Sequence, residues 1–178
     1  MPCMMPKPTA THLTAKKTRQ MQCSSGKRDD SVSRLDGVLH PEPYYRDEEL
    51  FCRRALFESV LRDFPKVEIV VSSTWRDTRD LATLQGFFSP DVARSIVSVT
   101  PSWRDLPELI DVIGQYPRHV EVEGWLRQQG RVWESWIALD DRAYWFKPFL
   151  PNLVHCDSST GLDEKVASAL RHRLQLGS

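Results

Sequence analysis

The chain of 178 residues has 24 basic and 24 acidic residues, and its 40% hydrophobic and 10% aromatic content can bury one sizeable core. The charges are unevenly placed. Residues 1–28 hold six basic residues and no acidic one, which leaves 18 basic and 24 acidic residues in the remainder. The chain after residue 28 is therefore mildly acidic, which argues weakly against non-specific binding to nucleic-acid backbones. We therefore expect one folded domain without a general affinity for phosphate backbones.

The four cysteines, Cys3, Cys23, Cys52 and Cys156, are widely spaced, with no histidine nearby at the spacing of a zinc site. We interpret them as reduced thiols of a cytoplasmic protein. No apolar run approaches the roughly 18 residues that a membrane-spanning helix needs, and the N-terminus lacks the apolar core of a secretory signal. The sequence predicts a soluble protein without membrane association and indicates no obligate protein partner. An organelle transit peptide is the less favoured interpretation of the N-terminus.

Residues 1–31 are rich in Lys, Thr, Ser, Pro and Met and lack periodicity, which predicts a disordered basic arm before a folded domain over residues 32–178. Within that domain, helical periodicity of apolar residues alternates with short β-branched runs. This alternation indicates an α/β fold with a parallel central sheet covered on both faces by helices. The predicted helices span residues 47–64, 77–85, 107–114, 119–129 and 163–176, and the predicted strands span residues 67–71, 96–99, 136–139 and 153–155.

Three segments carry polar residues where strands are predicted to end: residues 36–41 (Asp-Gly-Val-Leu-His-Pro), 72–76 (Ser-Ser-Thr-Trp-Arg) and 139–141 (Leu-Asp-Asp). In an open parallel sheet the carboxyl ends of adjacent strands converge on one crevice, so these segments are expected to meet there. Each segment also has a structural interpretation. Asp-Gly is a common turn, Ser-Ser-Thr can cap a following helix, and an aspartate pair can act as a cap too.

In this order, the three segments resemble the motifs of haloacid-dehalogenase-like (HAD) phosphohydrolases. They are most similar to small capless members associated with RNA repair, and the resemblance spans roughly residues 35–165. It implies a Rossmann-like three-layer sandwich with a parallel central sheet and no cap. It also implies Mg²⁺-dependent hydrolysis of phosphate esters, with a phosphorylated substrate that includes the 5′ or 3′ phosphates of nucleic-acid ends.

The resemblance implies three catalytic residues. Asp36 corresponds to the general acid and base that serves the leaving oxygen. Ser72, the first polar residue after its strand, is expected to donate a hydrogen bond to a phosphoryl oxygen. Arg118 falls where the family places a Lys or Arg that offsets the charge of nucleophile and phosphate. The alternative for Arg118 is a solvent-facing residue at the start of a helix, directly after Pro117.

The remaining matches imply binding roles. Gly37 is expected to allow a close backbone approach to the phosphate, and Ser73 is the second choice after Ser72 for a phosphoryl contact. Arg76 belongs to the motif of the subgroup, where packing and a phosphate contact are both open interpretations. Asp140 and Asp141, together with Asp36, are expected to hold Mg²⁺, a hard cation that prefers carboxylate oxygens.

The chain departs from the family two residues before Asp36, where Arg34 stands in place of the nucleophilic aspartate. A guanidinium is a permanent cation with no usable lone pair, so Arg34 cannot attack phosphorus, and its charge would repel Mg²⁺. Residues 27–34 are also almost wholly polar, which fits badly with a central strand that is buried on both faces. One hypothesis explains both features. Residues 1–34 would result from a wrong start of the reading frame, a frameshift or a recombined 5′ end of the gene, joined to an otherwise intact domain.

Neither usual position of a lid has room for one, because residues 36–72 hold one helix and a loop and residues 118–140 hold less. The site is therefore predicted to be open, with residues 101–117 as the candidate substrate-facing flap. Three hypotheses remain. The chain is a phosphohydrolase impaired by Arg34, a non-catalytic binding or scaffold domain with a phosphate pocket, or a doubly wound domain whose motifs are coincidental.

Overall fold

The structure, a computed structural model, describes residues 30–33, 37–42 and 50–177, and it describes residues 30–33 by their backbone alone. The strands are β1 (Asp30–Ser33), β2 (Glu68–Val71), β3 (Ile96–Val99), β4 (Trp136–Asp140) and β5 (Leu153–His155). The α-helices are α1 (Arg54–Asp63), α2 (Leu81–Gln85), α3 (Pro90–Ala93), α4 (Pro107–Ile113), α5 (Pro117–Gln128) and α6 (Glu164–Gly177). Short 3-10 helices span Thr74–Asp77, Trp103–Asp105 and Ala143–Trp145.

The five strands form one parallel sheet in the order β3-β2-β1-β4-β5. Each strand returns to the sheet in the same direction after a helical connection, as parallel pairing requires. The predicted α/β fold with a parallel sheet is therefore confirmed, and the predicted strands at residues 96–99 and 153–155 have the bounds that the sequence indicates.

β1 lies at the centre of the sheet, between β2 and β4. Ser33, its last residue, pairs with Val71 on one side and Leu139 on the other. The expectation that the polar residues 27–34 are unsuited to the central strand is therefore wrong for residues 30–33. The physical reason is that a parallel ladder is made by backbone N–H and C=O groups, which a polar residue supplies as well as an apolar one.

Hydrophobic clusters pack on both faces of the sheet, because successive strand residues present their side chains to opposite faces. Val70 of β2 and Ala138 of β4 pack with Trp125 of α5. Their neighbours Ile69 and Leu139 belong to the larger cluster on the other face. That cluster draws its helical side chains from α1, α2, α3 and α6, namely Phe57, Val60, Leu61, Leu84, Val92, Ala167, Leu170 and Leu174.

The first helix is shorter than the periodicity predicts. α1 begins at Arg54, and the predicted helix begins at residue 47. Phe51 has a φ of 58°, a left-handed backbone conformation that a continuous right-handed helix does not contain. The start of the predicted helix, residues 47–49, lies outside the described residues. Local backbone geometry therefore begins the helix later than the apolar pattern predicts.

The predicted helix over residues 77–85 is also divided. One 3-10 helix ends at Asp77, and α2 begins only after Asp80, whose carboxylate accepts a hydrogen bond from the Thr83 backbone N–H at 2.8 Å. This N-cap satisfies a donor of the first turn and marks a new helix start. The single-turn helix α3 is absent from the prediction.

Among the described residues, no helix has the length and apolar character that crossing a membrane requires.

Candidate functional site

The predicted polar segments meet at the carboxyl edge of the sheet. Ser72 and Ser73 directly follow β2, Asp140 ends β4, and Asp141 comes next. The start of α5 brings Arg118 to the same edge, where its Nε lies 3.8 Å from Asp140 Oδ2. All five residues are at least nine-tenths buried, so the solvent-facing interpretation of Arg118 is wrong. Polar groups at this depth need partners within the protein.

The loop that follows β1 approaches the end of β4 at Gly37. The φ of Gly37 is 67°, and a Cβ placed on this residue would overlap the Asp141 carboxylate. Glycine alone combines a left-handed backbone with the absence of a side chain, so this position requires it. The backbone at Gly37 thus lies close to a carboxylate, a contact that the sequence did not predict. A contact between Gly37 and phosphate stays a prediction.

The carboxylates of Asp140 and Asp141 lie beside cationic groups. The backbone N–H of Arg142 donates a hydrogen bond to Asp140 Oδ1 at 2.8 Å, which is a cap-like contact. The Arg142 guanidinium lies 3.9 Å from Asp141 Oδ2 and forms an ion pair of 3.1 Å with Glu42. His155 Nε2 lies 3.0 Å from the Asp141 backbone carbonyl oxygen. The aspartate pair therefore serves local structure and also presents carboxylate oxygens at the sheet edge.

The two serines after β2 differ in what they do. The Ser73 hydroxyl caps the 3-10 helix Thr74–Asp77 by accepting a hydrogen bond from the Trp75 N–H at 3.3 Å, which confirms the capping interpretation for this residue. Arg76 donates hydrogen bonds to the backbone carbonyls of Ser72 and Ser73, at 2.5 Å and 3.2 Å. Arg76 thus holds the turn after β2, and a direct phosphate contact by Arg76 stays a prediction.

One carboxylate joins the two buried arginines of the site. Glu121 Oε1 accepts a hydrogen bond from Arg76 Nη2 at 2.6 Å, and Glu121 Oε2 accepts one from Arg118 Nη1 at 2.6 Å. The Arg76 side chain is 7% exposed, and those of Arg118 and Glu121 are each 3% exposed. Solvent therefore screens the attraction between these charges only weakly. We call these residues the Arg76–Glu121–Arg118 cluster. It links the turn after β2 to the start of α5.

A cavity of about 260 Å³ opens beside this cluster. Arg76, Arg104 and Arg118 line it together with the indoles of Trp103 and Trp145. A guanidinium lies over each indole: Arg104 is 5.1 Å from the Trp103 ring centroid, and Arg118 is 5.2 Å from that of Trp145. Guanidinium groups bind phosphate oxygens well, and indoles stack on flat rings. Asp77 and Glu121 also line the cavity, so the lining carries three guanidiniums, two carboxylates and two indoles.

One wall of the cavity comes from residues 101–117, the predicted flap. Leu106 in this segment lies so close to Gly124 of α5 that a Cβ on Gly124 would overlap it. The segment therefore packs against α5, and it carries Trp103 and Arg104 to the cavity. Leu106, Leu109 and Ile113 of this segment form a hydrophobic cluster with Val120 of α5.

Comparison with known protein families agrees with this geometry. The family described as the HAD domain in Swiss Army Knife RNA repair proteins matches residues 35–167, more than half of the chain. The chain belongs to this HAD family. No curated protein and no solved structure matches the chain. The resemblance inferred from the three polar segments is therefore confirmed.

Arg34 and Asp36 lie outside the described residues, so the roles that the resemblance implies for them stay predictions. Within the described part of the chain, no group of three His, Cys, Asp or Glu side chains is placed to hold a metal ion. Asp140 and Asp141 offer the carboxylate oxygens that suit Mg²⁺, and the predicted third carboxylate is Asp36. The donor chemistry of the described pair fits Mg²⁺, and completing the site depends on the loop after β1.

Several residues that shape the site were missed by the sequence prediction. Glu121 follows Arg118 by three residues, a spacing at which oppositely charged side chains meet on a helix, and this signal could have revealed it. The cavity-lining residues Trp103, Arg104 and Trp145 have no comparable local signal, because they come together only when the segments that carry them are folded.

The buried thiol at the same edge is not a nucleophile. Burial, with smaller contributions from the charges of Asp140 and Asp141, raises the pKa of the Cys156 thiol to about 12. Because the thiolate is the reactive form, Cys156 is inert at neutral pH. Its backbone N–H donates a hydrogen bond of 3.0 Å to the Asp140 carbonyl oxygen, which indicates a structural role at the end of β4.

His119 is expected to make the stability of the HAD domain depend on pH. Burial, with a smaller contribution from the charge of Lys147, lowers the pKa of His119 to about 4. In the unfolded chain a histidine titrates near 6.5, so the unfolded state binds more protons between pH 6.5 and 4. The free energy of unfolding is therefore highest above pH 6.5 and falls by up to about 3 kcal/mol as the pH decreases through this window.

Urea unfolding at several pH values between 7 and 4 measures this effect. His119→Gln should flatten the pH dependence in that window, and His172→Gln, at an exposed position on α6, should leave it unchanged. An unaltered pH dependence in His119→Gln would show that another group is responsible.

Proposed function

We propose that this HAD domain is a Mg²⁺-dependent phosphohydrolase domain that binds phosphate esters and is catalytically impaired as encoded by Arg34. The observation that supports this most is the buried Arg118 guanidinium, 3.8 Å from the Asp140 carboxylate at the carboxyl edge of the sheet. A cation that can bind phosphate and an anion that can bind Mg²⁺ thus lie side by side. That is the charge arrangement that hydrolysis of a phosphate ester uses.

The roles proposed for the residues follow from their chemistry. Ser72 donates a hydrogen bond to a phosphoryl oxygen, and Arg118 balances the negative charge that develops on the phosphate. Asp36 moves a proton to or from the leaving oxygen. Mg²⁺, held by Asp140, Asp141 and Asp36, would supply further charge neutralisation when bound.

The impairment follows from the chemistry of one side chain. The family mechanism needs a carboxylate two residues before Asp36 to attack phosphorus, and Arg34 has no nucleophilic oxygen. A phosphate ester is therefore expected to bind without forming a covalent intermediate. The second candidate function is that of a non-catalytic binding or scaffold domain. It differs from the first in one expected result: a variant with the nucleophilic aspartate restored would still not hydrolyse phosphate esters.

The fold proposed for this function is a Rossmann-like three-layer sandwich without a cap. Its support is the pair of hydrophobic clusters on opposite faces of the sheet. Between Gly37 and Ser72 the described elements are α1 and β2, and between Arg118 and Asp140 they are the rest of α5 and β4. An uncapped site would be open to a large substrate.

The substrate class that we propose is the phosphorylated end of a nucleic acid. The family is described by its occurrence in RNA repair proteins. The cavity combines three arginines with two indoles, and stacking of a base on an aromatic side chain contributes about 1–3 kcal/mol. The widely spaced cysteines favour a cytoplasmic location for this activity.

Calorimetric titration of inorganic phosphate into the full chain with Mg²⁺ tests the proposal. The unmodified chain should bind phosphate, and Arg118→Gln should weaken binding at least about tenfold, because a hydrogen bond to a charged group contributes roughly 1.5–3 kcal/mol. Arg131→Gln is the matched control, since Arg131 forms ion pairs of 2.8 Å with Glu68 and 2.6 Å with Glu134 at the amino edge of the sheet. This control should bind phosphate normally.

Two results would contradict the proposal. The first is the absence of phosphate binding by the unmodified chain. The second is equal phosphate affinity in the unmodified chain and a folded Arg118→Gln variant. Mg²⁺-dependent hydrolysis of an aryl phosphate by the unmodified chain would be consistent with the proposed binding site. It would overturn the proposed catalytic impairment.

A further inference from the structure

Glu121 contacts three separate elements around the candidate phosphate site. Its carboxylate accepts hydrogen bonds of 2.6 Å from Arg76, beside β2, and from Arg118, on α5. It also accepts a hydrogen bond of 3.3 Å from the Trp103 backbone N–H, in the segment that forms one wall of the cavity. The Glu121 side chain is 3% exposed. These contacts connect the cavity wall with both arginines.

The charges near Arg118 compete for its guanidinium. Arg118 Nη1 lies 2.6 Å from Glu121, and Arg118 Nε lies 3.8 Å from Asp140. A direct hydrogen-bonded ion pair between a guanidinium and a carboxylate has a length of about 2.7–2.9 Å. The Arg118–Asp140 pair is therefore longer than a direct pair, and the Arg118–Glu121 pair is fully formed.

We propose that Glu121 is a positioning residue that holds Arg118 away from a direct ion pair with Asp140. Without this anchor, Arg118 would be drawn to Asp140, the other carboxylate with which it forms an ion pair. The guanidinium would then be less available to phosphate, and the Asp140 oxygen less available to a cation. The inference rests on the proposed function, because it assigns Arg118 to phosphate and Asp140 to Mg²⁺.

The test uses Glu121→Gln in the full chain, with inorganic phosphate and Mg²⁺ titrated separately by calorimetry. Both affinities are expected to fall about 10-fold or more, the range found when a supporting partner of a site residue is removed. Glu121→Asp, which keeps the charge on a shorter side chain, should recover part of both affinities. A merely structural role would lower thermal stability without this charge-dependent recovery.

Glu134→Gln is the matched control. Glu134 forms a similar ion pair with Arg131 at 2.6 Å, away from the carboxyl edge of the sheet. The control should lose stability without losing affinity for phosphate or Mg²⁺. The Glu134 side chain is 24% exposed, so this comparison separates loss of a short ion pair in general from loss of site geometry.

Glu121→Gln leaves two buried guanidiniums with one carboxylate fewer, so it could fail to fold. The double variant Arg76→Gln/Glu121→Gln removes one charge of each sign and serves as the second test. It should bind phosphate about 10-fold more weakly than the single variant Arg76→Gln, because Arg118 still loses its anchor and the comparison removes any contribution of Arg76 itself.

The outcomes separate the two proposals. No phosphate binding by the unmodified chain overturns the proposed function and this inference with it. Phosphate binding by the unmodified chain, with equal affinities in a folded Glu121→Gln or double variant, overturns the positioning role of Glu121 alone. Weaker binding of phosphate and Mg²⁺ in the folded variants, with a normal Glu134→Gln control, supports it.

Discussion

Gly37→Ala is expected to lower the free energy of unfolding by about 3 kcal/mol, combining the cost of a left-handed non-glycine residue with that of an overpacked contact. The φ of Gly37 is 67°, and the added Cβ would overlap the Asp141 carboxylate. The loop after β1 must move away, or Asp141 must leave its position. Either change should also remove phosphate and Mg²⁺ binding, because Asp141 belongs to the proposed metal site.

Gly130→Ala is the matched control for this prediction. Gly130 has the same φ of 67°, and a Cβ there would meet nothing within 4 Å. It should cost only about 1 kcal/mol from the backbone conformation. Thermal unfolding should therefore show a fall in Tm of about 6–12 °C for Gly37→Ala and about 2–4 °C for the control. Equal effects of the two substitutions would show that contact with Asp141 does not matter.

Arg34→Asp is expected to create Mg²⁺-dependent hydrolysis of an aryl phosphate, for which we expect no turnover by the unmodified chain. The substitution supplies an oxyanion at the position of the family nucleophile and removes a cation that would repel Mg²⁺. Removal of a catalytic nucleophile lowers kcat by as much as about 10⁶-fold, so even a partial restoration should raise turnover by at least about 10³-fold. Release of phosphate with and without Mg²⁺ measures the gain.

Two further variants decide what a gain of turnover means. Arg34→Asn removes the cation without providing a nucleophile, so it should remain inactive. Arg34→Asp/Asp36→Asn should lose most of the activity gained, because it lacks the proposed general acid. An inactive Arg34→Asp that binds phosphate and Mg²⁺ normally would instead favour the binding or scaffold function. Activity in the double variant equal to that of Arg34→Asp would contradict the role of Asp36.

The origin of residues 1–34 has an independent test. If a foreign sequence joins the domain at Leu35, the upstream nucleotide sequence should encode, in some frame, an apolar strand that ends in Asp-x-Asp. The position of β1 shows that residues 30–33 pair as the central strand, so the polar sequence does not prevent pairing of the backbone. The absence of such an upstream strand in every frame would reject a recombined or misread end.

Much of the candidate site was predictable because its residues stand at the ends of strands. Ser72 follows an apolar run, and Asp140 ends another, so their meeting at the carboxyl edge follows from parallel pairing. The burial of Arg118 was not predictable in the same way. The sequence places it at a helix start, and only packing against Glu121 and Asp140 brings the guanidinium inside.

The sequence by itself determined the alternation of strands and helices, the parallel sheet and the family, because periodicity and short motifs are properties of neighbouring residues. Only the tertiary structure decided the cluster in which Glu121 joins Arg76, 45 residues away in sequence, to Arg118. It also decided that residues 30–33 lie at the centre of the sheet. The reason is that ion pairs between distant segments and pairing of backbone groups depend on which segments become neighbours, and no local pattern encodes this.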